Sequence, residues 1–161
     1  KSKDFIASGE APKENRYIQE GNLMHRLFSI INKQSDAPKA VEQLIFEGLI
    51  TRNEQQNFIN RINTAIQSSH VEHWFTGNYQ LFNECLILSK DDNGNTRLRQ
   101  PDRAMVAKNE VIVVDYKFGE SKKEHSSQVQ QYKELLGKMG YNNVKGYVWY
   151  VAENKTIEIK D

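Results

Sequence analysis

Two charged side chains stand two residues apart at the end of an apolar stretch, where residues 111–114 run into Asp115, Tyr116 and Lys117. Side chains alternate between the two faces of a strand, so Asp115 and Lys117 should point the same way, roughly 7 Å apart. An earlier strand carries Asp102, and a short turn joins it to this one. Neighbouring strands of a hairpin lie within reach of each other, so Asp102 and Asp115 are expected to converge.

These three residues together predict a particular chemistry. Two carboxylates brought together repel each other unless a proton or a cation sits between them. Hard divalent cations such as Mg²⁺ and Mn²⁺ take oxygen ligands of this kind, and the nearby ammonium group of Lys117 can hold or polarise a metal-activated water. Asp102, Asp115 and Lys117 therefore predict a metal-dependent hydrolytic site, whereas without Asp102 the other two would more often be a solvated strand end.

The elements that position these residues follow from the spacing of the apolar side chains. Three N-terminal helices are predicted: one from Tyr17 to just before Asp36, one capped by Asp36 with Pro38 in its first turn and ending at Gly48, and one opened by a Thr51–Glu54 capping box. A later capping box, Ser121 with Glu124, predicts a fourth helix over residues 122–139 that Gly140 closes.

The strand pattern predicts an α/β fold. Strands are expected over residues 79–88, 97–106, 111–117, 144–151 and 156–160, with Asn93-Gly94 turning the first hairpin. Because a helix of crossover length separates strand 111–117 from strand 144–151, these two should be parallel with a right-handed crossover. The continuous apolar run at residues 111–114 predicts a central strand covered on both faces.

Length and composition limit the organisation of the chain. Its 161 residues suit one domain, read as a linker over residues 1–16, a helical segment over 17–69 and an αβ core over 79–161. The start at Lys-Ser-Lys predicts a piece cut from a longer protein.

The single cysteine, Cys85, excludes an internal disulfide, a cysteine zinc site and an iron–sulfur cluster built from this chain, and it favours a reducing compartment. The net charge of +1 does not by itself indicate a nucleic-acid partner. No apolar run approaches the length of a membrane span, so no membrane partner is expected.

Five short motifs carry a family resemblance: "GNLMH" at residues 21–25, Glu84 in "FNECLIL", "PDR" at 101–103, "DYKFG" at 115–119 and "QVQQY" at 128–132. In this order they resemble the RecB-like branch of the PD-(D/E)XK nuclease superfamily, with its G-x-x-x-H, PDR, DYKTG and Q-x-x-x-Y patterns. Phe118 stands where Thr is commoner in that branch. The resemblance covers about residues 17–151.

The resemblance implies a restriction-endonuclease-like fold, in which helices flank a mixed central sheet and a helical segment precedes it. It also implies exonuclease-type hydrolysis of DNA phosphodiester bonds with Mg²⁺ or Mn²⁺, leaving a 5′-phosphate. The implied metal ligands are His25, Asp102, Asp115 and the backbone carbonyl of Tyr116, with Glu84 as a further candidate whose alternative is a charge on a sheet edge. Lys117 would position the attacking water. Without the two carboxylates, His25 on an amphipathic helix would more often be a packed or surface residue.

A second group of residues is expected to contact DNA or to support the site: Gln128, Tyr132, Arg103, Lys122 and Lys123. Gln128 and Tyr132 are four residues apart and share one face of the last helix, and the alternative is a simple polar stripe. His125 continues that face and is expected at the surface. Lysine contacts to phosphate need not read sequence, so binding to DNA is expected to be independent of sequence. The resemblance implies that the DNA is single-stranded.

Further partners follow from the resemblance alone. RecB-like domains commonly sit at the C-terminus of DNA repair and recombination helicases, so helicase domains of the same chain or of a partner subunit are expected, in the cytoplasm of a bacterium at its nucleoid. Two alternatives stay open. One is a nuclease-fold module that has lost catalysis and only binds DNA or a partner, and the other is a stand-alone sequence-specific endonuclease.

Overall fold

The computed structural model describes residues 11–82, 87–90 and 92–161. Its α-helices are α1 (Ala11–Ile30), α2 (Ala37–Phe46), α3 (Gln55–Ser68) and α4 (Glu124–Lys138). Its strands are β1 (Gln80–Leu81), β2 (Ile87–Lys90), β3 (Thr96–Arg99), β4 (Arg103–Ala107), β5 (Glu110–Lys117), β6 (Val144–Tyr150) and β7 (Lys155–Ile159). Within the described ranges no helix combines the length and the apolar character needed to cross a bilayer.

The central sheet has five strands in the order β1-β4-β5-β6-β7. Strand β5 is antiparallel to β4 and parallel to β6, and β6 is antiparallel to β7, so the sheet is mixed. Helix α4 connects the two parallel strands, as predicted. The predicted α/β class and mixed sheet are therefore confirmed.

The predicted strand over residues 97–106 is wrong, because the chain breaks into β3 and β4 at Gln100, Pro101 and Asp102. Proline has no N–H to donate to a neighbouring strand, which favours ending a strand there. β2 and β3 form a separate two-stranded sheet around the Asn93-Gly94 turn, and Gly94 has the positive φ of 80° that such a turn requires. Asp102 consequently lies in the break before β4 rather than on a strand.

The helix starts follow the capping signals only in part. The carboxylate of Glu54 accepts hydrogen bonds from the backbone N–H and the hydroxyl of Thr51, at 2.8 and 3.0 Å, as the capping box predicts. Asp36 does stand before α2, but its carboxylate accepts from the N–H groups of Asn32 and Lys33 and does not cap that helix. The Asp36 carboxylate instead caps the short 3₁₀ turn Gln34–Asp36, in which Asp36 is the last residue.

Two further helix starts differ from expectation. α4 begins at Glu124 with Lys123 in the N-cap position and no side-chain capping bond, so the predicted Ser121 cap is wrong. α1 already runs from Ala11, so residues 11–16, predicted to be linker, belong to the helix. Residues 1–10 lie outside the described ranges.

Strand β5 lies between two cores and is buried on both faces, as predicted. Ile112, Val114 and Tyr116 pack in the core formed with α1, α2 and α3, while Val111 and Val113 pack in the core formed with α4. Because side chains alternate along a strand, Asp115 and Lys117 project from the α4 side of the sheet and Tyr116 projects from the other. The sheet thus delivers two charged groups to one edge while anchoring them through buried neighbours.

Candidate functional site

Asp102 is the centre of the candidate site. One of its carboxylate oxygens, Oδ1, lies 2.6 Å from His25 Nε2, and the other, Oδ2, accepts a 2.7 Å hydrogen bond from the N–H of Tyr116. The backbone N–H of Asp102 donates to Asp115 Oδ1 at 3.3 Å. Asp102 lies in the break at Pro101, and these three contacts place it at the end of β5. His25, Asp102 and Asp115 are therefore brought together, as predicted.

Asp115 is a buried carboxyl group, with 4% of its surface exposed. Burial raises its pKa to about 6, and the negative charge of Asp102 acts in the same direction. The N–H of Asp102 and the charges of Lys117 and His25 oppose the shift only in part. A carboxylate in this position lacks enough positive charge around it, which is the electrostatic condition that a bound cation would relieve.

His25 is oriented by neighbours on β5 and just beyond it. Its ring meets the rings of Tyr116 and Phe118 edge-on, with centroids 6.1 and 6.2 Å away. The hydrogen bond to Asp102 raises the pKa of the imidazole, although its partial burial opposes this. Its side chain is 45% exposed, so a ligand can reach the ring from solvent.

Lys117 ends β5 and is half-buried. Its ammonium donates to Gln128 Oε1 on α4 at 3.4 Å. This hydrogen bond places the exposed Gln128 at the site, which supports the expectation that its face of α4 contributes to the site.

Tyr132 supports the site from the core rather than from the surface. Only 6% of it is exposed, and its hydroxyl donates a 3.1 Å hydrogen bond to the carbonyl of Gln100. That carbonyl lies two residues before Asp102. One face of α4 therefore touches both halves of the site, with Gln128 at Lys117 and Tyr132 at the segment carrying Asp102.

Arg103 has only 1% of its surface exposed, so of the two roles expected for it, contact with DNA is excluded and support of the site remains. Its guanidinium donates to the carbonyls of Ile31, Asn32 and Trp74 at 2.9, 2.7 and 2.7 Å and lies 4.2 Å from the ring centre of Phe75. It supports the site instead, by tying the first residue of β4 to the end of α1. This burial could not be predicted from the sequence, because a backbone carbonyl can be supplied by any residue type and so requires no recognisable sequence pattern.

The remaining predicted residues have different outcomes. Lys122 and Lys123 are exposed just before α4. His125 is half-buried rather than a surface residue, and its Nδ1 lies 2.9 Å from the hydroxyl of Tyr150. Glu84 falls outside the described residues, so its role as a ligand stays a prediction, as does that of the Tyr116 carbonyl.

The donor set at the site suits a hard or borderline divalent cation, since it offers two carboxylates and an imidazole. Within residues 11–82, 87–90 and 92–161, no three His, Cys, Asp or Glu side chains already surround a common point as a metal cage would. Both oxygens of Asp102 are engaged, by His25 and by the Tyr116 N–H, but each keeps a second lone pair. The residues therefore fit a cation, provided that His25 releases Asp102 and turns toward the ion.

Compared with models of known protein families and with curated proteins, the sequence matches none.

Proposed function

We propose that this chain is a metal-dependent DNA nuclease with a PD-(D/E)XK fold of the RecB-like type. The observation that carries the proposal is the convergence of His25, Asp102 and Asp115 at the end of β5, with Lys117 beside them. These residues come from α1, the Pro101 break and the central strand, and 77 positions separate His25 from Asp102. A structural ion pair would account for His25 and Asp102, but not for the buried Asp115 with its raised pKa.

The ligands of a Mg²⁺ or Mn²⁺ ion would be His25, Asp102, Asp115 and the carbonyl of Tyr116, with Glu84 as a further candidate. When bound, the ion would supply a low-pKa water and neutralise charge on the scissile phosphate. Lys117, held by Gln128, would orient the attacking water and stabilise the charge that develops on phosphorus. Tyr132 and Arg103 would keep Asp102 in place from behind.

Substrate and setting belong to the same proposal. Lys122 and Lys123 lie exposed beside Lys117 in sequence and would contact phosphates without reading bases. The substrate would be single-stranded DNA, cleaved by an exonuclease-type reaction. In the complete protein, helicase domains would feed the strand to the site during repair or recombination in the bacterial cytoplasm.

Mn²⁺ titration by calorimetry tests the proposal at its base, with cleavage of an end-labelled oligonucleotide as the second readout. Wild type should bind Mn²⁺ and cleave, whereas Asp115→Ala should lose both and Lys117→Ala should bind the metal but not cleave. Asp92→Ala is the matched control, because it removes an exposed carboxylate in the β2–β3 turn. Full cleavage by purified Asp115→Ala would overturn the assignment. Absence of Mn²⁺ binding and cleavage in folded wild type would favour a nuclease-fold module without catalysis.

A further inference from the structure

A cavity of about 320 Å³ opens beside the candidate site and is walled on one side by α3. We call it the α3 cavity; its lining includes Met24, Asn57, Asn60, Thr64, Phe118 and Asn154. Its volume lies at the lower end of the roughly 300–1,000 Å³ typical of small-molecule sites, so it would hold one flat ring system rather than a stretch of chain.

The α3 cavity adjoins the candidate site at two residues. Met24 precedes His25 on α1, and Phe118 follows Lys117 at the end of β5. The Phe118 ring lies 6.2 Å from the His25 ring, and the Phe118 Cβ lies 3.5 Å from where a Cβ on Gly21 would be. Helix α1 thus backs Phe118, which stands between the site and the cavity. A ligand seated there would lie on the His25 side of the site, next to the Phe118 ring.

The polar face of α3 forms one wall of the cavity instead of simply facing solvent. Asn57, Asn60, Arg61 and Thr64 follow each other at helical spacing and all line the cavity, whereas Phe58 and Ile62 face the core. Asn60 accepts a 2.9 Å hydrogen bond from Gln56, and its two N–H donors have no partner among the described residues. Asn57 and Thr64 make no side-chain hydrogen bond to any other described residue.

The side chains that line the cavity indicate which class of ligand it would bind. Amide groups present a donor and an acceptor side by side, which matches the edge of a nucleobase, and an aromatic ring offers a stacking surface. Among the described lining residues the one charged side chain is Arg61, whose guanidinium lies 3.8 Å from Glu20 and near the Phe58 ring. The described part of the lining therefore contains no carboxylate that would repel a nucleotide.

We propose that the α3 cavity binds one nucleobase of the DNA strand, adjacent to the phosphate at the His25–Asp102–Asp115 cluster. This inference rests on the proposed nuclease function. It adds a specific expectation: the base at one fixed position from the cleaved bond contributes to binding, while its identity matters less because stacking accepts every base.

Oligonucleotides with a single abasic residue, moved one position at a time, test this directly. Binding is measured by fluorescence anisotropy with Ca²⁺, and cleavage is measured with Mn²⁺. For wild type, one abasic position should weaken binding and slow cleavage by roughly fivefold or more, as expected for loss of one stacked base. In Asn57→Ala/Asn60→Ala the abasic effect at that position should be clearly smaller than in wild type, because the amide contacts to the base edge are gone and only stacking on Phe118 remains. Both asparagines are exposed, so the variant should fold.

Gln67→Ala is the control, since Gln67 is exposed on the same helix but does not line the cavity. It should keep the abasic effect of wild type. An abasic scan without any sensitive position, or an effect as large in the double variant as in wild type, would overturn the cavity proposal, while Asp115-dependent cleavage would leave the nuclease assignment standing. Failure of wild type both to bind and to cleave DNA would overturn the two together.

Discussion

The burial of Asp115 disfavours the charged form of its carboxyl group, so the stability of the fold depends on whether this group is protonated. Its pKa is about 6 in the folded protein, against 3.8 for a free carboxyl group. Between these values the unfolded chain releases the proton while the folded chain keeps it, so folding becomes less favourable as pH rises from about 4 to about 6. The loss is on the order of 3 kcal/mol and persists at higher pH.

Asp115→Asn should therefore stabilise the metal-free protein at pH 8 but not at pH 4. The amide has no charge to bury and can still accept the hydrogen bond from the Asp102 N–H through Oδ1. Thermal unfolding in EDTA at the two pH values measures the effect, and a gain of about 2 kcal/mol would raise Tm by roughly 4–8 °C. Asp92→Asn, in the exposed turn, should follow wild type at both pH values. A lower Tm for Asp115→Asn at pH 8 would contradict the electrostatic account of the site.

At the scale of elements, α4 matters because it contacts both Lys117 and the segment before Asp102. Tyr132→Phe removes the hydroxyl that bonds the Gln100 carbonyl and should cost about 1 kcal/mol of stability. If that bond positions Asp102, Mn²⁺ affinity should also fall, by about tenfold, as for other residues that orient metal ligands. Calorimetry measures it, with Tyr141→Phe, on a partly exposed residue beyond α4, as the control. Unchanged Mn²⁺ affinity would reduce Tyr132 to a packing residue.

The contact between α4 and β6 depends on Gly146. A Cβ at this position would lie 2.5 Å from a methyl carbon of Val129 and 2.9 Å from the Lys133 side chain. Gly146→Ala should therefore push the helix from the sheet and cost about 1–3 kcal/mol, measured by urea unfolding. Gly137→Ala is the matched control, since no atom of the described residues lies within 4 Å of where its Cβ would be, and alanine favours the helix interior. Equal stability of the two variants would show that α4 is not closely seated on β6.

Most elements could be predicted because local chemistry decides them. The buried run of β5, the Asn93-Gly94 turn and the Thr51–Glu54 capping box each depend on a few adjacent residues. Where competing local partners exist, prediction failed. Asp36 caps a 3₁₀ turn instead of α2, and Ser121 is left outside a helix that starts three residues later.

At the scale of the whole molecule, the site depends on contacts between residues that lie at very different separations along the sequence. The approach of Asp102 to Asp115 follows from the hairpin between β4 and β5, so it could be inferred from local sequence. The approach of His25 could not, because no rule of spacing brings α1 to the end of β5, and only the motif resemblance indicated it. The burial of Arg103 and the α3 cavity depend on how the helical layer packs, which no short pattern records.

Electrostatics is the other property of the whole molecule, and it limits how the proposed DNA substrate could be held. With a net charge of +1, the chain should bind single-stranded DNA weakly, through few phosphate contacts and with a shallow dependence on salt. If Lys122 and Lys123 each neutralise one phosphate, removing both charges should reduce the slope of log K against log salt by about 1.4. Fluorescence anisotropy with Ca²⁺ across a salt series would measure that slope.

Lys122→Gln/Lys123→Gln should accordingly weaken binding to all sequences alike and flatten the salt dependence, because phosphate contacts carry no base information. Lys108→Gln/Lys138→Gln removes the same charge from the opposite end of the sheet, in the turn before β5 and at the last residue of α4. That control should change the slope little, because these lysines lie away from the end of β5 where the strand would pass. If both double variants reduced the slope equally, DNA would be held by diffuse charge rather than at the edge carrying Asp115 and Lys117.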